Sequence, residues 1–290
     1  MAGIELRSGP PAGPGRAAAA PVVPASPASV LPPLRAGLVQ LGGMVYLMYA
    51  VSRRALRRPI DWGPEFAAQF AFTIRICFIP LCLSSCVLAF GPLGVQASGF
   101  FGVFGSYDRM GSLYALVEVR EFAPMVVGII VAGAAGTAIC ADLGARVVRE
   151  EIAALRVLGV DPIKSLVLPR ALALMAAALL LNATALASGM VGMLLVLILH
   201  DQPIGPTLAN FLANATPLEL QASTLKAGLF GFVVAAVSCY NGLNVSGGPE
   251  GVGRAVNRSV VVVFLAIGFI DYVFTQLLLA TNPDLSQVRG

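Results

Sequence analysis

Apolar residues form five long runs along the chain, and each run is long enough to cross a membrane as a helix. The hydrocarbon core of a bilayer is about 30 Å thick, and a helix needs roughly 20 apolar residues to cross it. The five runs cover residues 66–90, 122–141, 171–199, 220–240 and 260–280. The pattern therefore predicts five transmembrane helices.

Two segments of different composition precede the first run. Residues 1–33 are rich in Pro, Ala and Gly and bury too little apolar surface to fold, which predicts a disordered tail. In residues 34–62, apolar side chains recur at helical spacing before a group of arginines, which predicts an amphipathic helix at the membrane interface. Gly42, Gly43 and the shortness of the run disfavour a further span. The apolar residues are Leu38, Leu41, Val45 and Met48, and the basic ones are Arg53, Arg54, Arg57 and Arg58.

A charged segment, residues 145–159, lies between the second and third runs. Val148, Ile152 and Leu155 have the spacing of one face of a helix. Arg146 and Glu150 are four residues apart, which predicts an ion pair between them. The segment is predicted to be one amphipathic helix with a charged outer surface. The charged residues on that surface are Arg146, Arg149, Glu150, Glu151 and Arg156.

The residues after this segment predict where its helix ends. Gly159 has the position of a helix C-cap, and Asp161 followed by Pro162 is typical of an N-cap and first turn of the next helix. A short amphipathic helix between two spans either lies on the lipid surface or binds a soluble partner. The periodicity alone does not decide between these alternatives.

The composition supports a membrane protein, because 57% of the residues are hydrophobic and only 12% are charged. The net charge of +4 follows from basic residues flanking the spans rather than from a nucleic-acid surface. The five cysteines lie in apolar stretches without a C-x-x-C pair, and His200 is the single histidine, next to Asp201 in a loop. This pattern predicts packing roles for the cysteines and no metal site.

Lysine and arginine residues outside the spans are concentrated on one side of the predicted membrane. This bias predicts that the N-terminus and the charged segment are cytoplasmic and that the C-terminus, residues 282–290, is outside. The cytoplasmic side holds Arg35, Arg53, Arg54, Arg57, Arg58, Arg146, Arg149, Arg156, Lys164, Arg170, Arg254 and Arg258, whereas Arg109 and Arg289 lie outside and Arg120 is at a boundary.

Small residues in the second run predict how the helices pack. Gly128, Ala132 and Gly136 recur every four residues, and such stripes allow close approach of two membrane helices. A second stripe lies on the adjoining face, at Gly133, Thr137 and Ala141. Two packing faces would place this helix at the centre of the bundle. The alternative is that Gly and Ala are simply common in membrane helices.

Charged residues inside spans are functional candidates, because they are costly in a bilayer. Pairing with one another to hold helices in register is the alternative for Arg75, Lys226 and Asp271, and contact with outer lipid headgroups is the alternative for Glu118 and Glu121. No catalytic motif is visible, so the chain is not expected to be an enzyme. The candidates are Arg75, Glu118, Arg120, Glu121, Lys226 and Asp271.

Two sequence motifs resemble the MlaE/YrbE family of lipid-transport ABC permeases. The first comprises R-E-F-A-P at residues 120–124 and A-G-A-A-G-T-A-I-C-A-D-L-G-A-R-V-V-R-E-E-I-A-A-L-R-V-L-G-V-D-P at 132–162, and the second is S-C-Y-N-G-L-N-V-S-G-G-P-E-G-V-G-R-A-V-N-R-S-V-V at 238–261. Ala153 stands where the family usually has Asp. The chain is most similar to the A-type YrbE subunits of actinobacterial Mce systems.

This resemblance implies a permease domain over residues 63–281 within a transporter of several subunits. A cytosolic ABC ATPase would bind ATP and Mg²⁺, and this chain would hold no cofactor. The ATPase would contact the coupling helix at 145–159, chiefly through Glu150, Glu151 and Leu155. A second YrbE-like subunit, related rather than identical, would enclose a lipid or sterol near Arg120 and Glu121. Mce-domain proteins would exchange that molecule outside the bacterial inner membrane.

Two rival functions remain open at this point. An ion- or proton-coupled secondary transporter would use Arg75, Lys226 and Asp271 as a relay, although neither inverted repeats nor paired broken helices are visible. The second rival function is that of a structural scaffold for proteins on the outer side of the membrane. The fold class is the same for all three functions: an all-α integral membrane protein with an interfacial helix and five spans.

Overall fold

The computed structural model describes residues 32–55 and 62–283, with side chains from residue 37 onward. The chain forms two compact units, Met1–Val39 and Gln40–Gly290, and the described part of the first is helical. Residues 1–31 of the predicted tail, residues 56–61 of the predicted interfacial helix and residues 284–290 lie outside the described residues. Residues 32 and 33, predicted as tail, instead begin the first helix.

All regular structure in the described ranges is helical, and five of the helices are long and apolar enough to span a membrane. This confirms the predicted fold class. The first helix is not among the five candidates, and its interfacial position stays a prediction. The helices are α1 (Pro32–Ala55), α2 (Gly63–Val103), α3 (Tyr107–Val148), α4 (Glu151–Val157), α5 (Ile163–Leu199), α6 (Ile204–Asn214), α7 (Pro217–Leu243) and α8 (Gly248–Thr281).

The first two spans are much longer than predicted. Helices α2 and α3 have 41 and 42 residues, which corresponds to about 60 Å each and exceeds the hydrocarbon thickness. They contain π-helical turns at Ala89–Val95, Ala115–Phe122 and Ala132–Gly136. Pro92 lies in the first of these turns, and Pro124 lies two residues after the end of the second. Proline lacks the N–H that an α-helix needs, so a local change of helical pitch accommodates it.

The connections between spans define two ends of the bundle. Helix α4 connects α3 to α5 at one end, hereafter the α4 end, and α6 connects α5 to α7 at the opposite end, the α6 end. The sequence patterns did not predict α6. It packs on the first turns of α3, where Gly111 lies against the backbone of Thr207 and the Asn214 amide donates to Ser112 Oγ at 3.1 Å.

Helix α7 is the centre of the bundle, and α8 is peripheral. The most apolar 18-residue window of α7 is 72% buried, whereas that of α8 is 11% buried. The small-residue stripe of α3 packs here as predicted: a Cβ at Gly136 would lie only 2.8 Å from Val234 of α7. In the second predicted stripe, Gly133 is exposed and no atom of the described residues lies within 4 Å of where its Cβ would be. Thr137 and Ala141 are half-buried.

Helix α1 has apolar residues on two faces rather than one. Met44, Met48 and Val51 are buried in the main hydrophobic core, whereas Leu41 and Val45 are exposed. The predicted single stripe is therefore wrong, since it joined exposed and buried positions. A helix that packs on protein with one face and meets lipid with the other needs apolar residues on both.

Candidate functional site

The charged segment does contain a helix, but not the continuous one predicted over residues 145–159. Helix α3 continues to Val148, and Glu150 then adopts a left-handed conformation (φ 61°) before α4 begins at Glu151. A residue in that conformation interrupts the α-helical hydrogen-bond pattern, and this breaks the segment in two. The separate helix α4 can thus take a direction different from that of α3.

The end of α4 has the geometry that the sequence predicts. Gly159 has a positive φ of 77°, its N–H donates to the Arg156 carbonyl at 3.1 Å, and the Val160 N–H donates to the Leu155 carbonyl at 2.9 Å. These two bonds form a Schellman motif, which favours glycine at this position. Asp161 Oδ1 accepts the N–H of Ile163 at 3.0 Å and caps the next helix.

Only one residue of the predicted apolar face is buried. Ile152 packs inside, Leu155 is partly exposed and Val148 belongs to α3. The most exposed apolar residues of the segment, Val157 at 88% and Leu158 at 76%, are not part of the predicted stripe. They lie at the last residue of α4 and in the turn before Gly159, where helical periodicity ends and no longer indicates which way a side chain points.

The charged residues of this segment form a network centred on Asp142. Asp142 Oδ2 lies 3.1 Å from Arg146 Nε and 2.7 Å from Arg170 Nη2 of α5. Arg170 is only 2% exposed and also lies 3.9 Å from Glu65 of α2. Arg146 Nη1 in turn reaches Glu151 of α4 at 3.5 Å. The network thus links α4 to three spans through charge-assisted contacts.

The predicted pair between Arg146 and Glu150 does not form. Arg146 instead pairs with Asp142, one turn earlier in α3, and with Glu151 beyond the break. Arg149 Nε also donates to Glu151 Oε1 at 2.7 Å. Glu150 is left exposed. Arg156 is exposed as well, so Glu150, Arg156 and the apolar pair Val157 and Leu158 form the outer surface of α4 and its final turn.

A second group of charges lies inside the bundle toward the α6 end. Lys226 of α7, only 1% exposed, donates from Nζ to Glu121 Oε2 (2.9 Å), to Thr275 Oγ1 (2.9 Å) and to the Arg120 carbonyl (3.0 Å). The same ammonium lies 2.6 Å from Asp271 Oδ1. Lys226 therefore joins α3, α7 and α8. This agrees with the alternative interpretation of Lys226 and Asp271, in which the two residues pair and hold the helices in register.

The bond from Lys226 to the Arg120 carbonyl has a local cause. Pro124 follows four residues later and has no N–H to donate to that carbonyl. The π-helical turn at Ala115–Phe122 also widens the helix at this point. The freed carbonyl accepts a hydrogen bond from the lysine ammonium, which satisfies both groups inside the membrane.

Arg120 and Glu118, the other two candidates in this part of α3, have separate partners. Arg120 Nη2 donates to Glu219 Oε1 at the start of α7. The cavity beside this pair, lined by Arg120, Glu219 and Lys226, measures about 10 Å³, which is room for about one water and not for a lipid. Glu118 is 2% exposed and accepts from Ser85 Oγ at 3.2 Å, with Gly189 directly against its carboxylate. The predicted contact of Glu118 with headgroups is therefore wrong.

Arg75 differs from the other candidates. It lies in the first third of α2 on an exposed surface, between the exposed residues Phe72 and Phe78, and it makes no ion pair with any residue that the structure describes. The sequence could not separate Arg75 from Lys226, because both are single cations in apolar runs. Only the packing shows that one lies in the core and the other on the surface.

Five apolar spans with ion pairs in the interior of the bundle are the features of a multi-pass membrane protein. The chain matches the family described as Permease MlaE over residues 66–277. That match covers more than half of the chain, and the protein belongs to the MlaE permease family.

Several relatives carry transporter names. A probable ABC transporter permease protein of Synechocystis is 34% identical over 192 residues, which is 66% of this chain and 73% of the relative. A probable ABC transporter permease protein of Rickettsia conorii is 32% identical over 186 residues, which is 64% of this chain and 72% of the relative. The chloroplastic protein TRIGALACTOSYLDIACYLGLYCEROL 1 of Arabidopsis thaliana is 31% identical over 204 residues, or 68% of this chain and 57% of that longer protein.

Proposed function

We propose that this protein is the transmembrane permease subunit of an ABC-type lipid transporter, driven by ATP hydrolysis on a cytosolic ATPase subunit. The observation that carries the proposal is the position of α4, which exposes apolar and charged residues while its ion pairs connect it to α2, α3 and α5. The similarity of this chain to proteins named probable ABC transporter permeases supports this assignment.

The outer surface of α4 has the character of a protein contact. Val157, the last residue of α4, and Leu158, directly after it, expose apolar area, with the exposed Glu150 and Arg156 on the same short segment. Buried apolar anchors with a charged rim are typical of protein–protein interfaces. We infer that the ATPase binds here and that ATP and Mg²⁺ are held by that partner.

Arg75 supports a second permease subunit. A charge exposed in the hydrocarbon region is costly, and such residues usually face a protein partner or a water-filled cavity. The exposed side of α2 around Arg75 is therefore proposed to face a second, related permease chain. The narrow cavity at Lys226 has no room for a lipid, so the substrate is proposed to lie between the two chains.

The substrate class is proposed to be a lipid or sterol, exchanged with Mce-domain proteins on the outer side. The similarity to a chloroplast protein named after a galactolipid supports a lipid. The location is proposed to be the bacterial inner membrane, with the α4 end in the cytoplasm because most basic residues flanking the spans lie at that end.

The test is a charge reversal on α4. Glu150→Lys changes an exposed residue that makes no ion pair with other described residues, so the fold should be retained while the ATPase no longer co-purifies. Glu250→Lys is the matched control, because Glu250 is also exposed at the start of a helix at the same end of the bundle. Co-purification of the ATPase with the Glu150→Lys protein in wild-type amount would contradict the proposal.

The rival function as a secondary transporter has a distinct outcome in the same preparation. Lipid transfer by a reconstituted ATPase-free permease that stops when the proton gradient is collapsed would favour the rival. Transfer that requires ATP and persists without a gradient supports the ABC mechanism.

A further inference from the structure

A carboxyl group without a cationic partner lies between α2, α3 and α5. Glu118 of α3 is 2% exposed, and its Oε2 atom has no hydrogen-bond partner among the described residues. A Cβ at Gly189 would lie only 2.1 Å from Glu118 Oε1, so the backbone of α5 packs directly against the carboxyl group. Neither the proposed transport mechanism nor the ion pairs of the bundle use this group.

The helices packed around Glu118 bring no cation to it. Over residues 171–199, α5 has no charged side chain, and α6 has none along its whole length. Arg75 of α2 lies on the exposed surface of the bundle. On α3, the titratable group one turn before Glu118 is the phenol of Tyr114, whose hydroxyl donates to the Ala89 carbonyl of α2 at 2.5 Å.

The other charged residues in this part of α3 and α7 already pair with one another. In the part of the chain that the structure describes, these pairs do not include Glu118. They are Arg120 with Glu219, and Lys226 with Glu121 and Asp271. An unpaired charge is costly in the interior of a membrane protein, and a carboxyl group avoids that cost by keeping its proton.

The hydrogen bonds around Glu118 require one more hydrogen than Ser85 provides. Ser85 Oγ lies 2.7 Å from the Ala185 carbonyl oxygen and 3.2 Å from Glu118 Oε1. A serine hydroxyl has one hydrogen, and both a carbonyl and an ionised carboxylate can only accept. An ionised Glu118 would therefore share the serine hydrogen with Ala185. A protonated Glu118 donates to Ser85 Oγ, which leaves the serine hydrogen for the shorter bond to Ala185.

We propose that Glu118 is a proton-binding site of the bundle and holds its proton at neutral pH. The side chain donates to Ser85, and Ser85 donates to Ala185, so one chain of hydrogen bonds joins α3, α2 and α5. The neutral charge of the carboxyl group allows Gly189 to pack directly against it. Separation of α5 from α3 would expose the group to water, where a glutamate ionises at this pH. Helix separation and proton release are therefore linked.

The test is infrared spectroscopy of the purified full-length chain at neutral pH in a non-ionic detergent. A protonated carboxylic acid has a carbonyl stretching band that is distinct from the bands of an ionised carboxylate. We expect this band in the wild type and its loss in Glu118→Gln. The glutamine amide has nearly the size of a protonated carboxyl group and can donate to Ser85, so this variant should fold.

Two further variants make the result specific. Glu219→Gln is the matched control, because Glu219 is similarly buried (3% exposed) but pairs with Arg120. Its substitution should leave the acid band unchanged. Ser85→Ala removes the acceptor of the proposed hydrogen bond, so the acid band should remain and shift to the frequency of a carboxyl group without that bond. This shift tests the site independently of Glu118→Gln.

A second measurement counts the proton directly. Unfolding the chain with dodecyl sulfate in weakly buffered solution transfers the proton from Glu118 to a pH-indicator dye, because a glutamate in an unfolded chain has a pKa of about 4.3. The wild type should release about one proton per chain more than Glu118→Gln. Glu219→Gln should release the same number of protons as the wild type.

Three results would overturn the proposal. An acid band and a proton release that are the same in the wild type and Glu118→Gln would show that Glu118 is ionised in the bundle. Loss of the band from both Glu118→Gln and Glu219→Gln would assign the proton to a wider network. A band that does not shift in Ser85→Ala would contradict the hydrogen bond from Glu118. None of these results depends on whether Glu150→Lys releases the ATPase, because the site requires neither the ATPase nor transport.

Discussion

At the scale of single residues, Lys226 shows how a charge is accommodated inside a membrane bundle. Its ammonium group contacts oxygens of Glu121, Asp271 and Thr275 and a backbone carbonyl freed by Pro124. The neighbouring carboxylates of Glu121 and Asp271 repel each other, and the positive charge of the lysine offsets this repulsion. The lysine therefore stabilises the meeting point of three helices.

Lys226→Met is expected to lower the free energy of unfolding by about 3 kcal/mol, because removal of one partner leaves uncompensated buried charges. Asp271→Asn should cost less than half of this amount, since the pair between Lys226 and Glu121 remains. Thermal unfolding in detergent can be followed with a thiol-reactive dye, because Cys77, Cys140 and Cys239 are free and buried. A Lys226→Met protein as stable as the wild type would contradict this role.

At the scale of elements, the close packing of α3 on α7 depends on small residues. Gly128 lies against Phe230, and Gly136 lies against Val234 and Ser238. The apolar runs predict both helices, but they do not show which side of α3 is packed. Gly133 belongs to an equally regular stripe and is exposed, because no helix among the described residues covers it.

Gly136→Leu and Gly133→Leu form a matched pair of substitutions on one helix. We expect Gly136→Leu to destabilise the chain by about 1–3 kcal/mol or more, since the added atoms overlap α7. Gly133→Leu should leave the unfolding midpoint of the single chain close to the wild type. Similar losses in both variants, measured by the same thermal assay, would mean that the substitution acts through the helix backbone and not through packing.

At the scale of the whole molecule, ion pairs connect the short helix α4 to the spans. Asp142 contacts Arg146 and Arg170, and these reach Glu151 and Glu65 in turn. Charge-assisted contacts of this kind are directional and hold elements in fixed relative positions. They provide a physical route by which movement of α4 would shift α2, α3 and α5 together.

Asp142→Asn should therefore separate ATPase binding from transport. The outer surface of α4 is unchanged, so the ATPase should still co-purify, whereas lipid transfer per ATP hydrolysed should fall roughly tenfold, within the usual range of coupling between sites. Glu250→Gln is the control, because it removes an exposed ion pair with Arg254 at the same end of the bundle. Loss of the ATPase from the Asp142→Asn protein would show that Asp142 positions the binding surface itself.

The sequence by itself determined the features that depend on local composition and spacing. Five apolar runs specify five spans because a bilayer requires apolar helices of a minimum length. Gly159 and Asp161 specify the end of α4 and the start of the next helix because their conformations and hydrogen bonds involve only near neighbours. The amphipathic charged segment between spans is likewise visible in the order of residues.

The tertiary structure alone decided what depends on residues far apart in the chain. It distinguishes buried Lys226 from exposed Arg75, although both are single cations in apolar runs. It brings Arg170 of α5 to Asp142 of α3 and to Glu65 of α2 across many intervening residues. Hydrophobic periodicity records which residues avoid water, and in a membrane both the protein core and the lipid satisfy that requirement. The choice between core and lipid is made only when the helices pack.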